Sequence, residues 1–103
     1  MARSEQVSAP GLDSVIHPLP RLRICALLEP VKEEEFATLR DLLETTDSAL
    51  SKQLSTLTKA GYVAQRRAPR GGKSRIWTRL TPTGRLAFQK HLAALAALTQ
   101  RPQ

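Results

Sequence analysis

Apolar residues recur along this chain at spacings that separate helix from strand. Leu12, Val15, Ile16 and Leu19 suggest a short helical lead-in. After Pro20, which a first helical turn tolerates, Leu22, Ile24, Leu27 and Leu28 predict a buried helical stretch over 21–28, closed by Pro30. Phe36, Leu39, Leu42 and Leu43 predict a second short amphipathic helix, entered through Glu33, Glu34 and Glu35, where a helix N-terminus favours negative charge. A third helix, over about 47–60, is signed at both ends. Thr46 or Asp47 can cap its free amides, Leu50, Leu54 and Leu57 form its inward stripe, and Gly61 supplies the left-handed residue that ends it.

Past Gly61 the period changes. Residues 62–67 and 75–80 predict two strands of a hairpin, with 68–74 as its glycine-bearing tip. Thr81 can cap, and Pro82 can open, a last helix to about Thr99, rich in alanine and leucine. Its apolar residues exceed what a small domain covers alone, and a second copy of the chain is the natural cover because closed twofold dimers dominate soluble oligomers. The expected dimer interface is Leu12, Val15, Ile16, Phe88, Leu92, Leu95 and Leu98, with packing onto its own domain as the alternative for this helix. Residues 1–11, polar and carrying Pro10-Gly11, lack periodicity and are expected to form a flexible arm. This leaves one domain over 12–99, its dimerisation helix over 81–99, and a tail over 100–103.

Charge adds what periodicity does not. All nine acids lie between Glu5 and Asp47, and residues 1–47 hold five bases, for −4; residues 48–103 hold eleven bases and no acid, for +11, giving the net +7. Segregation this complete points to a polyanionic partner, with nucleic acid the leading candidate. At about 100° per residue, the third helix places Ser48, Lys52, Ser55 and Lys59 opposite its leucine stripe, with Ser51 and Thr56 at the flanks. Small hydroxyl side chains permit close approach to a major groove and lysines neutralise phosphates; an ordinary solvated helix face would look the same. The hairpin carries Arg66, Arg67, Arg70, Lys73, Arg75 and Arg79 and is expected to present them without a compensating acid. An arginine at its tip could enter a narrow minor groove, while Arg66, Arg67 and Arg75 suit phosphates.

Other chemistries find little support. No glycine-rich phosphate loop or nucleophile with a neighbouring base is present, and Gly71-Gly72-Lys73-Ser74 reads as a hairpin tip, so no enzyme and no cofactor is expected. Cys25, His17 and His91 are too scattered in sequence to suggest a metal site. Cys25 is expected as a core filler, His17 in a packing or capping role, and His91 at an interface or on the surface. Without an apolar run of membrane-spanning length or a signal-peptide pattern, a cytoplasmic chain is expected, with no membrane partner.

Taken together, Ile16-His17-Pro18 with Arg21-Leu22, Phe36-Ala37-Thr38-Leu39, Leu50-Ser51-Lys52-Gln53-Leu54, Leu57, Ala60-Gly61-Tyr62-Val63, the basic hairpin and Leu80-Thr81-Pro82-Thr83-Gly84-Arg85 carry a resemblance. The chain resembles the compact, single-domain winged helix-turn-helix regulators of the MarR-like and ArsR-like type, over roughly 16–98. The resemblance implies an α+β, mainly α fold: a winged helix-turn-helix with a two-stranded β-hairpin wing and a C-terminal dimerisation helix. It further implies a homodimeric transcriptional regulator, most simply a repressor, on a pseudo-palindromic operator in double-stranded DNA. The expected DNA contacts are Thr46, Ser48, Ala49, Ser51, Lys52, Ser55 and Lys59 from the recognition helix, and Arg66, Arg67, Arg70, Gly72, Lys73 and Arg75 from the wing. No small-molecule effector is legible. The alternative is an interaction module whose basic face meets an acidic protein or RNA.

Overall fold

A computed structural model describes residues 11–100; the expected arm, apart from Gly11, and residues 101–103 of the tail lie outside the described residues. Four helices and three strands follow in the order α1 (Leu19–Leu28), β1 (Glu34–Glu35), α2 (Phe36–Leu42), α3 (Asp47–Lys59), β2 (Val63–Arg70), β3 (Lys73–Leu80) and α4 (Pro82–Leu98).

The expected helical lead-in is instead a turn. The Asp13 carboxylate accepts from the amides of Val15 (2.8 Å) and Ile16 (3.3 Å), and its carbonyl accepts from His17 N (2.8 Å). An Asx turn of this kind competes with helix, and Pro18 lacks the amide a continuing helix needs. α1 therefore starts at Leu19, with Pro20 in its first turn, and buries Ile24, Cys25 and Leu28. Ile16, expected at a dimer interface, is 0% exposed within a single chain and belongs to the core.

α2 and α3 end in the same backbone motif made from different residues. After α3, Tyr62 N donates to Leu57 O (3.0 Å) and Gly61 N to Thr58 O (2.9 Å), with Gly61 at φ 81°. After α2, Thr45 N donates to Arg40 O and Glu44 N to Asp41 O, both at 3.1 Å, but the left-handed position is held by Glu44 at φ 53°. Both are Schellman turns. The second gives no glycine signal in the sequence.

The hairpin is longer than its expected strands. β2 pairs with β3 from Val63↔Leu80 to Arg70↔Lys73, so the turn is only Gly71-Gly72. Both glycines have positive φ (60° and 80°), as a two-residue type I′ turn requires, and this geometry continues the twist of the strands to the tip. Pro69 lies on β2, an edge strand of the order β1-β3-β2, where its missing amide leaves no gap in an inner ladder. The third strand is additional to the expected two: Glu34 and Glu35 pair antiparallel with Thr78 and Trp77.

α4 docks on the α3–β2 junction. Thr81 caps it by accepting from Gly84 N (2.9 Å), while Thr81 N donates to Tyr62 O (3.0 Å) and its hydroxyl to Gly61 O (2.6 Å). A β-carbon on Gly84 would stand 2.0 Å from Tyr62 O, so only glycine lets the helix approach this closely. Phe88 is 2% exposed in the core and is withdrawn from the expected dimer interface for the same reason as Ile16. His91, expected at an interface or on the surface, is also fully buried. Its Nδ1 accepts from Asp13 N (2.9 Å), so its ring proton sits on Nε2, which faces His17 Nδ1 at 3.3 Å. Burial, reinforced by His17, lowers the His91 pKa, and the nearby Asp13 offsets part of that shift.

Candidate nucleic-acid interface

α3 is built to expose one clean face. Thr46 Oγ1 accepts from Ala49 N (3.1 Å), fixing the first turn, and Leu50, Leu54 and Leu57 are buried beneath. Ser48, Ser51, Lys52, Ser55 and Lys59 are exposed on the far side. Neither lysine has an ion-pair partner among the described residues. Asp47, at the start of α3, is paired to Arg40 Nη1 (2.9 Å), whose Nε also holds Asp41 (3.0 Å), an arrangement that ties α2 to α3. Thr46 spends its hydroxyl on the cap, and Ala49 lies on the flank beside Leu19 and Arg23 of α1.

A groove runs between α3 and the wing, lined by Asp47, Ser51, Ser55, Thr58 and Lys59 of α3, by Gln65 and Ile76 of the wing, and by Phe36. Gln65 and Ile76 were not among the expected contacts; as strand residues without charge they carry no signal until the register is known. Side chains alternate across a sheet, and residues paired in register share a face. Arg67 pairs with Ile76 and therefore shares the helix-facing side of the wing. Arg66 pairs with Trp77, Arg70 with Lys73, and Ala68 with Arg75, which places these bases on the opposite side.

That opposite side corrects the expectation of an uncompensated wing. Arg66 Nε donates to Glu33 Oε1 (2.9 Å), and its Nη2 donates to Glu33 Oε2. Arg70 Nη1 donates to Glu35 Oε1 (3.0 Å), and Arg75 Nη1 lies 3.3 Å from Glu35 Oε2. Arg66 and Arg70 also lie over the Trp77 ring, at 5.8 and 5.9 Å from its centroid, within cation–π range. The bound Arg66 guanidinium holds the Glu33 carboxyl below its usual pKa. Glu35 is 7% exposed and forms no side-chain cap on α2, so Glu33 and Glu35 serve the wing, while Glu34 accepts from the Glu35 amide (3.1 Å). Gly72 and Lys73 occupy the exposed tip.

These features match a known family. The sequence pattern of the winged helix DNA-binding domain matches residues 21–99. The chain belongs to this family. The winged helix domain is 27% identical over 86 residues to an uncharacterised protein of Methanocaldococcus jannaschii, covering 84% of this chain and 94% of that one. Its structure is similar to a transcriptional regulator homologue from Pyrococcus horikoshii OT3, with a TM-score of 0.77 and 21% identity, covering 82% of this chain and 83% of that one. It is also similar to a zinc-responsive MarR family member, Lactococcus lactis ZitR, with a TM-score of 0.59 and 19% identity, covering 76% of this chain and 53% of that one. The fold is thus a winged helix, shared with these structures.

Other candidate chemistry is accounted for by packing. Cys25 is buried, and burial, with Asp13 nearby, pushes its thiol up to about 12, so it carries no reactive thiolate near neutrality. Tyr62 donates to the Asp13 carboxylate, which together with burial raises its phenol to about 12. Among the described residues no group of three His, Cys, Asp or Glu side chains is placed to hold a metal ion, and no helix is long and apolar enough to cross a membrane.

Proposed function

We propose that this winged helix domain is a transcriptional regulator, most simply a repressor, that binds a pseudo-palindromic operator as a homodimer. The observation that carries the reading is the outer face of α3: small hydroxyls and two lysines without acidic partners, beside a groove open to a phosphate backbone. In this reading Ser48, Ser51, Lys52 and Ser55 approach base edges in the major groove. Lys59 and Arg67 neutralise phosphates along the groove, and the tip at Gly72 and Lys73 reaches the adjacent minor groove.

The dimer reading draws support from α4. Its buried stripe is Gly84, Phe88, His91 and Ala94, and beyond it Leu95 is half-buried and Leu98, at the end of the helix, is 59% exposed. Leu92 adds exposed apolar surface on the next face, and Leu12 and Val15 are half-buried. A second α4 would cover the overhang and set two recognition helices about one turn of duplex apart.

The test is selection of bound fragments from random duplex DNA by the full chain. Enrichment of an inverted repeat with half-sites about 10 base pairs apart is expected. Recovery of unenriched sequence would reject base reading and direct attention to an acidic protein or RNA partner.

A further inference from the structure

We infer that Glu33 and Glu35 are specificity-determining residues: they suppress binding of the wing's outer face to DNA of arbitrary sequence and so widen the preference for the operator. The inference rests on the DNA-binding reading above.

The two faces of the wing differ in what their cations can do. On the helix-facing side, Arg67 has no carboxylate partner among the described residues. On the outer side, Arg66 is held by both oxygens of Glu33, and Arg70 and Arg75 by the two oxygens of Glu35. A phosphate approaching that side must displace a carboxylate already in place, or bind a cation whose charge is partly cancelled, since two carboxylates face three arginines. Affinity for arbitrary sequence comes almost wholly from phosphates neutralised and counterions released. Each carboxylate therefore subtracts from it directly.

A sequence-specific complex is affected less. Once α3 is seated in a major groove, the groove between α3 and the wing faces the backbone, and the Glu33–Trp77–Glu35 side is turned away. Complexes without base contacts sample many orientations, including those that present the outer face to DNA. The acids thus weigh against the unwanted complexes and leave the wanted one nearly unchanged, which is discrimination by penalising alternatives. Their placement depends on β1: the two-residue pairing Glu34↔Thr78 and Glu35↔Trp77 brings the acids beside bases more than thirty positions later in the chain.

The experiment compares the full chain with Glu33→Gln and Glu35→Gln by fluorescence anisotropy, on a selected duplex and on a scrambled one, across a range of salt. Glu33 is solvent-accessible and its variant retains a hydrogen-bonding amide, so folding, checked by circular dichroism, should survive even if Glu35→Gln perturbs the sheet. Each variant should bind the scrambled duplex about 3- to 10-fold more tightly, with a salt slope steeper by about 1, equivalent to about one further phosphate neutralised. Binding to the selected duplex should change by less than about 2-fold. Equal gains on both duplexes, or no gain on the scrambled one in the folded Glu33→Gln protein, would overturn the inference. The wild-type preference between the two duplexes separately decides the DNA-binding reading.

Discussion

The outer face of α3 and the outer face of the wing are both rich in positive charge along the sequence, yet they differ in the fold. α3 carries Lys52 and Lys59 among serines, without ion-pair partners among the described residues. The wing carries more cations, but three of its arginines are paired to Glu33 and Glu35 and two lie against Trp77. Counting charges along a chain therefore overstates the field at a surface. What a polyanion meets depends on which acids the sheet brings alongside.

The Gly84→Ala variant would break both regions at once, because α4 packs on the Gly61-Tyr62 junction that joins α3 to β2. The new β-carbon meets backbone, which cannot rotate away, so a loss of about 1–3 kcal/mol is expected in urea denaturation. A stability equal to wild type would mean that the junction does not set the position of α4.

The comparison between helix and wing sharpens at Lys52 and Arg67. Lys52→Ala should lower affinity for a selected duplex about 10-fold while changing a scrambled one much less, as expected for a side chain near base edges. Arg67→Ala should weaken both duplexes alike and flatten the salt slope by about 1. Arg66→Ala should have a smaller effect than Arg67→Ala because Glu33 already holds its charge. Anisotropy titrations check all three, and identical behaviour of Lys52→Ala and Arg67→Ala on both duplexes would remove the division of labour.

Acid provides a third probe, through the polar cluster that ties the turn before α1 to α4. The folded-state pKa of His91 is lowered, so the unfolded chain binds a proton more readily than the folded one. Stability from this site is complete above the unfolded histidine value of about 6.5 and is lost as pH falls from there toward the lower folded value. A proton on His91 Nδ1 would also face the Asp13 amide it now accepts from. The urea midpoint should decline below about pH 6.5, and should decline less in His91→Leu measured against its own value at neutral pH. The smallest effect is expected at Glu44, whose left-handed backbone favours glycine: Glu44→Gly should be neutral to about 1 kcal/mol more stable in urea denaturation, and a marked loss would contradict the strain.

The helices were legible where their signals are local. Thr46, the leucine stripe and Gly61 define α3 within a few turns of chain, and Thr81-Pro82 defines the start of α4 as well. Glu44 was not legible as a turn, because a left-handed glutamate has no sequence signature. The lead-in failed because Asp13 competes locally for amides that a helix would use. The exposed apolar surface of α4 was legible only in part: apolar spacing marks Phe88 and Leu98 alike, and tertiary packing decides that Phe88 is core and Leu98 overhang. The paired wing was least legible. A two-residue strand has no periodicity, and the acids it delivers are far in sequence from the bases they meet.

The most direct test of the DNA-reading surface is wild-type anisotropy on a selected duplex and its scrambled counterpart across a range of salt. The expected result is a preference of about 10³-fold or more for the selected duplex that persists as salt rises, because base contacts add to the electrostatic part. Equal affinities, both collapsing together with salt, would contradict the assignment of α3 as a reader of sequence.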